Sequence, residues 1–593
     1  MKEIGFAEEV YTGGFNWHAW KIVLGHARRY AGHAAGVIVS AVLMAATHVV
    51  FGLLVGAVIN DPGNWRFYAG VNCLLVLVSV VGVFVFIRSA GWMASGLSRD
   101  LRRETFERLQ GLSFSFFDSH PVGWLVARLT TDSDRLARII AWGLLELTWG
   151  GVSVILTVVV MLVLSWKLAV VVLAVSPAVW FASLWFQRRL LATSRDIRRT
   201  NSRITSAFGE CINGVKATRT LAREDENLRE FGDLAGVMFQ KSVLNGMLKA
   251  SYLPVVLMLA SLSIAATMVA GGWMVENRLY GMQIGTLATF ILFARQIFRP
   301  VTELAQLLTE VQHACSAAER ITGLLETRPE VEDRPGTSEG EDVIENVEFC
   351  DVRFSYDRRE EVLHGINFKI HRGETVAIVG PTGAGKSTLV SLLCRFYEPT
   401  SGQIRINSAD YTTRSIRWLQ SRLGIVLQSP QLFSGTIMEN IRYGRPSASD
   451  GDVIEAARLA SADRFIRSLP GGYQATVGES GTGLSVGQQQ LVTLARAVLA
   501  DPGIFVMDEA TASVDSVTER DIQKALDEIT GDRISIVIAH RLSTVLAADR
   551  IIYLEGGKVI EFGTHEDLMA KKGRYRNLYL QQFSIRQVEQ MLG

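Results

Sequence analysis

The chain has 593 residues, 48% of them apolar and 20% charged, with 60 Lys and Arg against 59 Asp and Glu. That length fits two or three domains, and a net charge of +1 excludes a bulk electrostatic attraction to nucleic acid. The mean hydropathy of +0.22 is high for a soluble chain and low for one made wholly of membrane spans, so two unlike parts are expected.

Residues 1–14 are polar and acidic and lack the apolar core and cleavage site of a signal peptide. Residues 17–30 are amphipathic and are expected to lie at the inner membrane interface, anchored by Trp17, Trp20, Arg28 and Arg29. Six apolar runs follow, at 34–59, 67–87, 139–164, 168–186, 252–275 and 282–298. Each approaches or exceeds the length that crosses about 30 Å of hydrocarbon. Ser165, Trp166 and Lys167 separate the third run from the fourth and suffice for a tight outer turn, while Arg295 interrupts the last run.

Charge orients these spans. Between the second and third lie Arg88, Arg99, Arg102, Arg103, Arg108, Arg128, Arg135 and Arg138. Between the fourth and fifth lie Arg188, Arg189, Arg195, Arg198, Arg199, Lys216, Arg219 and Arg223. The loops at 60–65, 165–167 and 276–281 are short and nearly free of positive charge, so the long loops and both termini are expected in the cytoplasm. Leu97, Leu101, Leu109 and Leu112 recur at near-helical spacing, which carries the second span beyond the bilayer. A helix from 67 to 112 would reach about 70 Å. The sixth span is expected to extend in the same way through 303–325.

Residues 326–342 are acidic and rich in Pro, Gly and Ser, the composition of a linker. Beyond them strands alternate with helices, with β-rich runs at 375–379, 504–507 and 534–538. The expected fold is therefore an all-α six-helix transmembrane domain over 34–325, preceded by 1–33, then a linker over 326–342 and an α/β domain over 343–593. Cys73, Cys211, Cys315, Cys350 and Cys394 show no metal or disulfide spacing and read as small apolar residues.

The chemistry starts at Gly380-Pro381-Thr382-Gly383-Ala384-Gly385-Lys386-Ser387, a glycine-rich loop between an expected strand and an expected helix. Glycines let backbone N–H groups close around phosphates, and the following helix N-terminus adds partial positive charge. In that frame Lys386 reaches the β- and γ-phosphates and Ser387 ligates Mg²⁺.

With this loop in place the chain resembles an exporter-type half-transporter of the ATP-binding cassette superfamily over nearly its whole length. Tyr356 matches the aromatic residue that stacks on adenine, and Gln428 the glutamine that joins the metal site to the membrane domain. Leu484-Ser485-Val486-Gly487-Gln488 matches the family signature, Ile504–Glu509 the Walker B strand, Ser513-Val514-Asp515 the D-loop, and His540 the switch histidine. The resemblance implies ATP and Mg²⁺ as cofactors. Nucleotide contact falls to Tyr356, Gly380, Pro381, Thr382, Gly383, Ala384, Gly385, Lys386, Ser387, Thr388, Ser485, Gly487, Gln488 and Asp515. Ser387, Gln428 and Asp508 hold the metal. Glu509 is the general base or water-positioning group, with His540 and Gln428 beside it. The signature serves the ATP held by a partner cassette.

The same resemblance gives Phe116-Phe117-Asp118, Gly123 and Arg128–Asp132 to a first coupling-helix region, and Glu210, Gly214 and Lys216 to a second. Polar residues within the spans are few: His48, Asn72 and Glu146, with Arg295 near the inner end of the sixth. Two signature positions depart from the common pattern, Val486 for Gly and Gln489 for Arg or Lys. A degenerate partner site accompanies such departures in heterodimeric exporters, so a heterodimer is favoured over a homodimer. The function expected is ATP-driven export or flipping of a small amphipathic compound across the cytoplasmic membrane by alternating access. An importer on this architecture, of the kind some siderophore systems use, and a nucleotide-regulated non-transporting ATPase or channel are the alternatives. With no peptidase domain ahead of the first span, a cargo-processing exporter is not expected.

Overall fold

The structure, a computed structural model, describes residues 16–340, 342–357, 360–478, 481, 483–508, 524–526, 529–539 and 542–581. The chain divides into two compact units. One runs to Gly111 and from His120 to Thr327; the other joins Leu112–Ser119 to the chain from Arg328 onward.

The first unit is helical. Its elements are α1 (Trp17–Ala27), α2 (Ala31–Asn60) and α3 (Trp65–Gln110), and, beyond α4 (Phe114–Ser119) of the other unit, α5 (Val122–Ala127) and α6 (Ser133–Leu173). Then come α7 (Ser176–Asn213), α8 (Val215–Thr220), α9 (Glu224–Glu276), α10 (Ile284–Gln296) and α11 (Phe298–Glu326). Among the described residues four helical stretches, 17–60, 62–110, 122–173 and 224–276, are long and apolar enough to cross a membrane, and α10 is a shorter apolar helix. The fourth expected run straddles the end of α6 and the start of α7. Ser165 takes extended dihedrals (φ −163°, ψ 100°) and divides α6 where a tight turn is expected. Within the sixth run α10 ends at Gln296 because Pro300 has no N–H to donate to that carbonyl, and α11 begins two residues later.

At about 1.5 Å per residue the 46 residues of α3 span about 69 Å, as its leucine spacing predicts. Only 11% of its most apolar stretch is buried within the unit, leaving Leu74, Leu77, Phe84 and Ile87 for a lipid surround. Where α2 meets α10, small residues bring the backbones together. A Cβ on Gly285 would lie 2.0 Å from the Gly56 carbonyl oxygen. The Gly285 N–H donates to Asn60 Oδ1 at 2.8 Å and Thr289 Oγ1 to the Gly52 carbonyl at 3.1 Å.

Trp20 corrects the expectation of an interfacial anchor. It is buried in a cluster with Leu97, Leu101, Leu136 and Ala314, and its Nε1–H donates to Cys315 Sγ at 3.1 Å. The apolar stripes of α3 and α11 need a cover there, and α1 provides it. Trp17 remains exposed. Arg128 and Asp132, expected in a coupling region, form a buried knot. Arg128 Nη1 donates to Asp132 Oδ2 at 2.9 Å, and Arg320 on α11 donates to both carboxylate oxygens at 2.9 and 2.7 Å. Arg128 also lies over the Trp124 ring at 4.2 Å.

The second unit is α/β. Strands β1 (Asn346–Phe354), β2 (Leu363–His371), β4 (Ser401–Ile406) and β5 (Ala409–Asp410) form a sheet in the order β2-β1-β4-β5. A six-stranded sheet runs β12-β11-β3-β10-β9-β6. Its members are β3 (Thr375–Val379), β6 (Leu423–Val426), β9 (Ile504–Asp508), β10 (Ile534–Ile538), β11 (Arg550–Glu555) and β12 (Lys558–Gly563). β7 (Gly435–Thr436) and β8 (Thr476–Val477) pair separately. One core lies between the two larger sheets around the helix Lys386–Leu393, and a second gathers the helices between 437 and 499.

The acidic stretch composed like a linker is fastened to this unit. The Ser338 N–H donates to the Thr413 carbonyl, the Ile416 N–H to Asp333 Oδ1 at 2.7 Å and Arg395 Nη2 to the Glu332 carbonyl at 3.2 Å. Trp418 Nε1 donates to the Gly340 carbonyl, and Arg414 pairs with Asp342. A flexible composition thus becomes an ordered strap because its backbone groups and carboxylates meet fixed donors and acceptors.

Asp132 has a side chain only 4% exposed, so its removal strands two guanidinium groups. Asp132→Ala is expected to destabilise the protein by about 3 kcal/mol. Glu107→Ala, which removes the exposed Arg103 pair, is expected to leave stability nearly unchanged. Thermal denaturation in detergent should rank the two variants in that order.

Candidate functional site

β3 is the central strand from which the site is built. It pairs in parallel with β10 and β11, and β10 continues in parallel to β9 and β9 to β6. Ile538 lies opposite both Ile378 and Asp508, and Met507 opposite Val426. The loop after β3, the Asp508 carboxylate and the segment leading to Gln428 therefore leave the sheet at one edge, where parallel α/β sheets place their ligands.

The loop itself uses conformations that only glycine accepts without strain. Gly380 has φ +153°, and a Cβ on it would lie 2.0 Å from the Leu554 carbonyl oxygen. Gly385, at φ +97°, would meet Leu363 Cδ2 at 2.7 Å. Gly383, at φ +82°, faces open space. Pro381, Thr382, Gly383 and Ser387 are exposed, while Ala384, Gly385, Lys386 and Thr388 are buried. The loop thus offers one side to a ligand and packs the other into the core.

Lys386 opens the helix Lys386–Leu393, whose first N–H groups have no partner within the helix. Its ammonium donates to the carbonyls of Gly380 and Pro381 at 2.8 and 3.0 Å, and the residue is 7% exposed. Burial lowers the lysine pKa, and the nearby Asp508 carboxylate opposes that shift. Cation, unpaired N–H groups and helix N-terminus together make a cradle that fits a polyphosphate. Ser387 and Asp508 offer the hard oxygen donors that suit Mg²⁺.

Tyr356 is 53% exposed, with its hydroxyl 3.1 Å from Thr388 Oγ1 and its ring edge-on to Phe354 and Tyr397 at 4.8 and 5.1 Å. A planar, open aromatic face beside the phosphate cradle suits a nucleobase. Gln428 is exposed just past β6. Glu509, Asp515 and His540 lie outside the described residues.

The signature segment stands at the start of the helix Val486–Leu499. Ser485 Oγ accepts from the Gln488 N–H at 3.3 Å, and Gln488 Oε1 accepts from the Ser485 N–H at 3.0 Å, a reciprocal cap. The serine O–H remains a donor for an incoming anion, next to the buried Gly487. No hydrogen bond between described residues joins this segment to the phosphate loop. Gln489, noted in sequence as a departure, holds the preceding turn: its Nε2 donates to the carbonyls of Gly481 and Leu484 at 3.0 and 3.1 Å. Arg496, which sequence reasoning missed, ties the same helix to the segment after Gln428 by donating to the Gln431 and Asn440 carbonyls at 2.9 and 2.8 Å.

Comparison with known proteins agrees with this geometry. The profile of the ABC transporter transmembrane region matches residues 34–301, and that of the ABC transporter matches 363–512. An ABC transporter ATP-binding protein of Bacillus subtilis (strain 168) is 32% identical over 98% of this chain and 97% of its own length. An ATP-dependent lipid A-core flippase of Syntrophus aciditrophicus (strain SB) is 33% identical over 83% of this chain and 82% of its own. The structure of a bacterial Atm1-family ABC exporter with ATP bound superposes with a TM-score of 0.76 at 27% identity, covering 94% of this chain and 98% of that one.

Two glycine substitutions separate the demands of the loop. Gly380→Ala forces its Cβ against a backbone oxygen and is expected to weaken ATP binding at least about tenfold. Gly383→Ala meets only the left-handed conformational cost of about 1 kcal/mol, about a fivefold loss. Titration with a fluorescent ATP analogue measures both.

Proposed function

This chain belongs to the ABC transporters, as an exporter-type polypeptide that joins a multi-pass membrane region to a unit coupling ATP hydrolysis to transport, and on that premise we propose its cargo, assembly and site roles. It exports or flips a lipid-like amphipathic compound across the cytoplasmic membrane, with the ATP-binding unit on the cytoplasmic side. The observation that carries this reading is the phosphate cradle closed on Lys386, on the same polypeptide as helices with lipid-facing apolar surfaces. Charge supports the orientation, since the arginine-rich segments all fall between the second and third and the fourth and fifth apolar runs. Similarity to a lipid flippase and an exporter supports outward movement of an amphiphile over import.

The working form is a dimer. Ser485, Gly487 and Gln488 present a capped helix start with a spare hydroxyl donor, suited to the γ-phosphate of an ATP held by a partner chain. Gln489 secures that segment by its two carbonyl contacts, so the departure from Arg or Lys is compensated. A heterodimer remains our preferred assembly, with this chain supplying the complete Walker B strand.

Within one site, Tyr356 stacks the base, the loop from Gly380 to Thr388 grips the phosphates, and Lys386 leaves its loop carbonyls for the β- and γ-phosphate oxygens. Ser387, Asp508 and Gln428 would hold Mg²⁺, which when bound neutralises phosphate charge. Glu509 orients and deprotonates the attacking water, His540 holds the γ-phosphate, and Asp515 adds to the nucleotide contacts. Phosphoryl transfer depends on positioning and charge stabilisation, so an isolated half-site is nearly inert.

Reconstituted into proteoliposomes together with its partner half-transporter, the protein is expected to move a fluorescent phospholipid between leaflets only with Mg²⁺ and ATP. Glu509→Gln should reduce hydrolysis at least about 100-fold with ATP still bound. Ser485→Ala should slow hydrolysis of the ATP held by the partner chain about 10- to 100-fold without changing this chain's own ATP affinity. Wild-type hydrolysis in both variants would contradict the composite-site mechanism, and movement toward the ATP side would reverse the export reading.

A further inference from the structure

We propose that Tyr397 is a positioning residue that links the base-stacking ring of Tyr356 to Asp118, so that α4 responds to occupancy by a purine rather than by phosphate alone. The inference rests on the reading of Tyr356 as the adenine platform. Tyr397 donates its hydroxyl to Asp118 Oδ2 at 2.5 Å, a short charge-assisted hydrogen bond. Its ring stands edge-on to Tyr356, with centroids 5.1 Å apart and planes at 87°, and Phe354 completes the triangle at 4.8 and 5.6 Å. Tyr356 in turn reaches Thr388 Oγ1, on the helix that follows the phosphate loop. Two hydrogen bonds and one ring contact therefore connect Asp118 with that helix.

Tyr397 is presented rigidly. Arg395, two residues earlier, has φ +54° and a side chain without solvent exposure. Its guanidinium donates to Glu398 Oε1 at 3.0 Å, to the Arg414 carbonyl at 2.8 Å and to the Glu332 carbonyl at 3.2 Å. These bonds hold a turn that an arginine adopts only under constraint. On the same turn Phe396 stacks on Phe114 of α4 at 4.0 Å, and Ser113 Oγ accepts from the Val331 N–H at 2.9 Å. Phe396 and Ser113 hold α4 whether or not a base is present. The Tyr397 hydroxyl is the contact whose other end lies against the base platform.

Residues 112–119 continue in both directions into α3 and α5 of the helical unit. A base on the open face of Tyr356 limits the motion of that ring, and with it the motion of Tyr397 and the Asp118 bond.

Hydrogen–deuterium exchange on the full-length protein in nanodiscs tests this at the peptide covering 112–120, with a non-hydrolysable ATP analogue and with inorganic triphosphate. The analogue is expected to slow exchange there about threefold or more and triphosphate to leave it unchanged. Tyr397→Phe keeps the ring and removes the hydroxyl; it should abolish that protection while analogue affinity stays within about twofold, and Asp118→Ala should do the same. Tyr356→Ala should weaken analogue binding about tenfold and remove protection even at saturation. Equal protection by triphosphate, or full protection in Tyr397→Phe, would overturn the link. Unchanged analogue affinity in Tyr356→Ala would instead overturn the adenine reading on which it rests.

Discussion

Parallel hydrogen bonding of β3 to β10 and β11, and of β10 through β9 to β6, is the constraint on which the α/β unit depends. Parallel pairing aligns the carboxyl ends of the strands, so loops from distant parts of the chain emerge side by side. The phosphate loop, Asp508 and the approach to Gln428 share an edge for this reason alone. The buried run of Val376, Ile378, Ile504, Val506, Ile534 and Ile536 holds that register, because a slip would expose part of the core.

The helical unit obeys a different constraint. Backbone polar groups in lipid must be satisfied within the helix, which leaves long helices that expose apolar side chains and meet one another through small residues. Gly56 and Gly285 meet in one such close approach, with Asn60 and Thr289 adding side-chain bonds to backbone groups there. Where helices run past the apolar stretches the arrangement changes, and buried polar groups tie them: Asp132 gathers Arg128 and Arg320, and Trp20 donates to Cys315. Such knots specify one arrangement of helices in a region without lipid to cover apolar stripes.

Polar anchoring also explains why the strap over 328–340 and 342 is ordered in spite of its linker composition. Its carboxylates and carbonyls meet Arg395, Arg414, Trp418 and the Ile416 N–H. Arg395 serves both this strap and the turn that carries Phe396 and Tyr397, so one buried guanidinium supports two features that are far apart in sequence.

The helical character of the first unit, the α/β character after residue 343 and the strand–loop–helix setting of the glycine-rich loop were legible in the sequence, because each reflects a local requirement. Apolar length measures hydrocarbon thickness, leucine spacing follows the helical repeat, and the glycines at 380 and 385 answer to φ values and clearances that a Cβ cannot meet. Contacts between residues remote in the chain were decided only by tertiary structure. Nothing local marks Trp20 as buried rather than interfacial, assigns Gln489 to the carbonyls of Gly481 and Leu484, or brings Tyr397 to Asp118 across 279 residues. Those pairings depend on how whole elements pack, and the same side chain serves as anchor, cap or link according to the surface that packing brings against it.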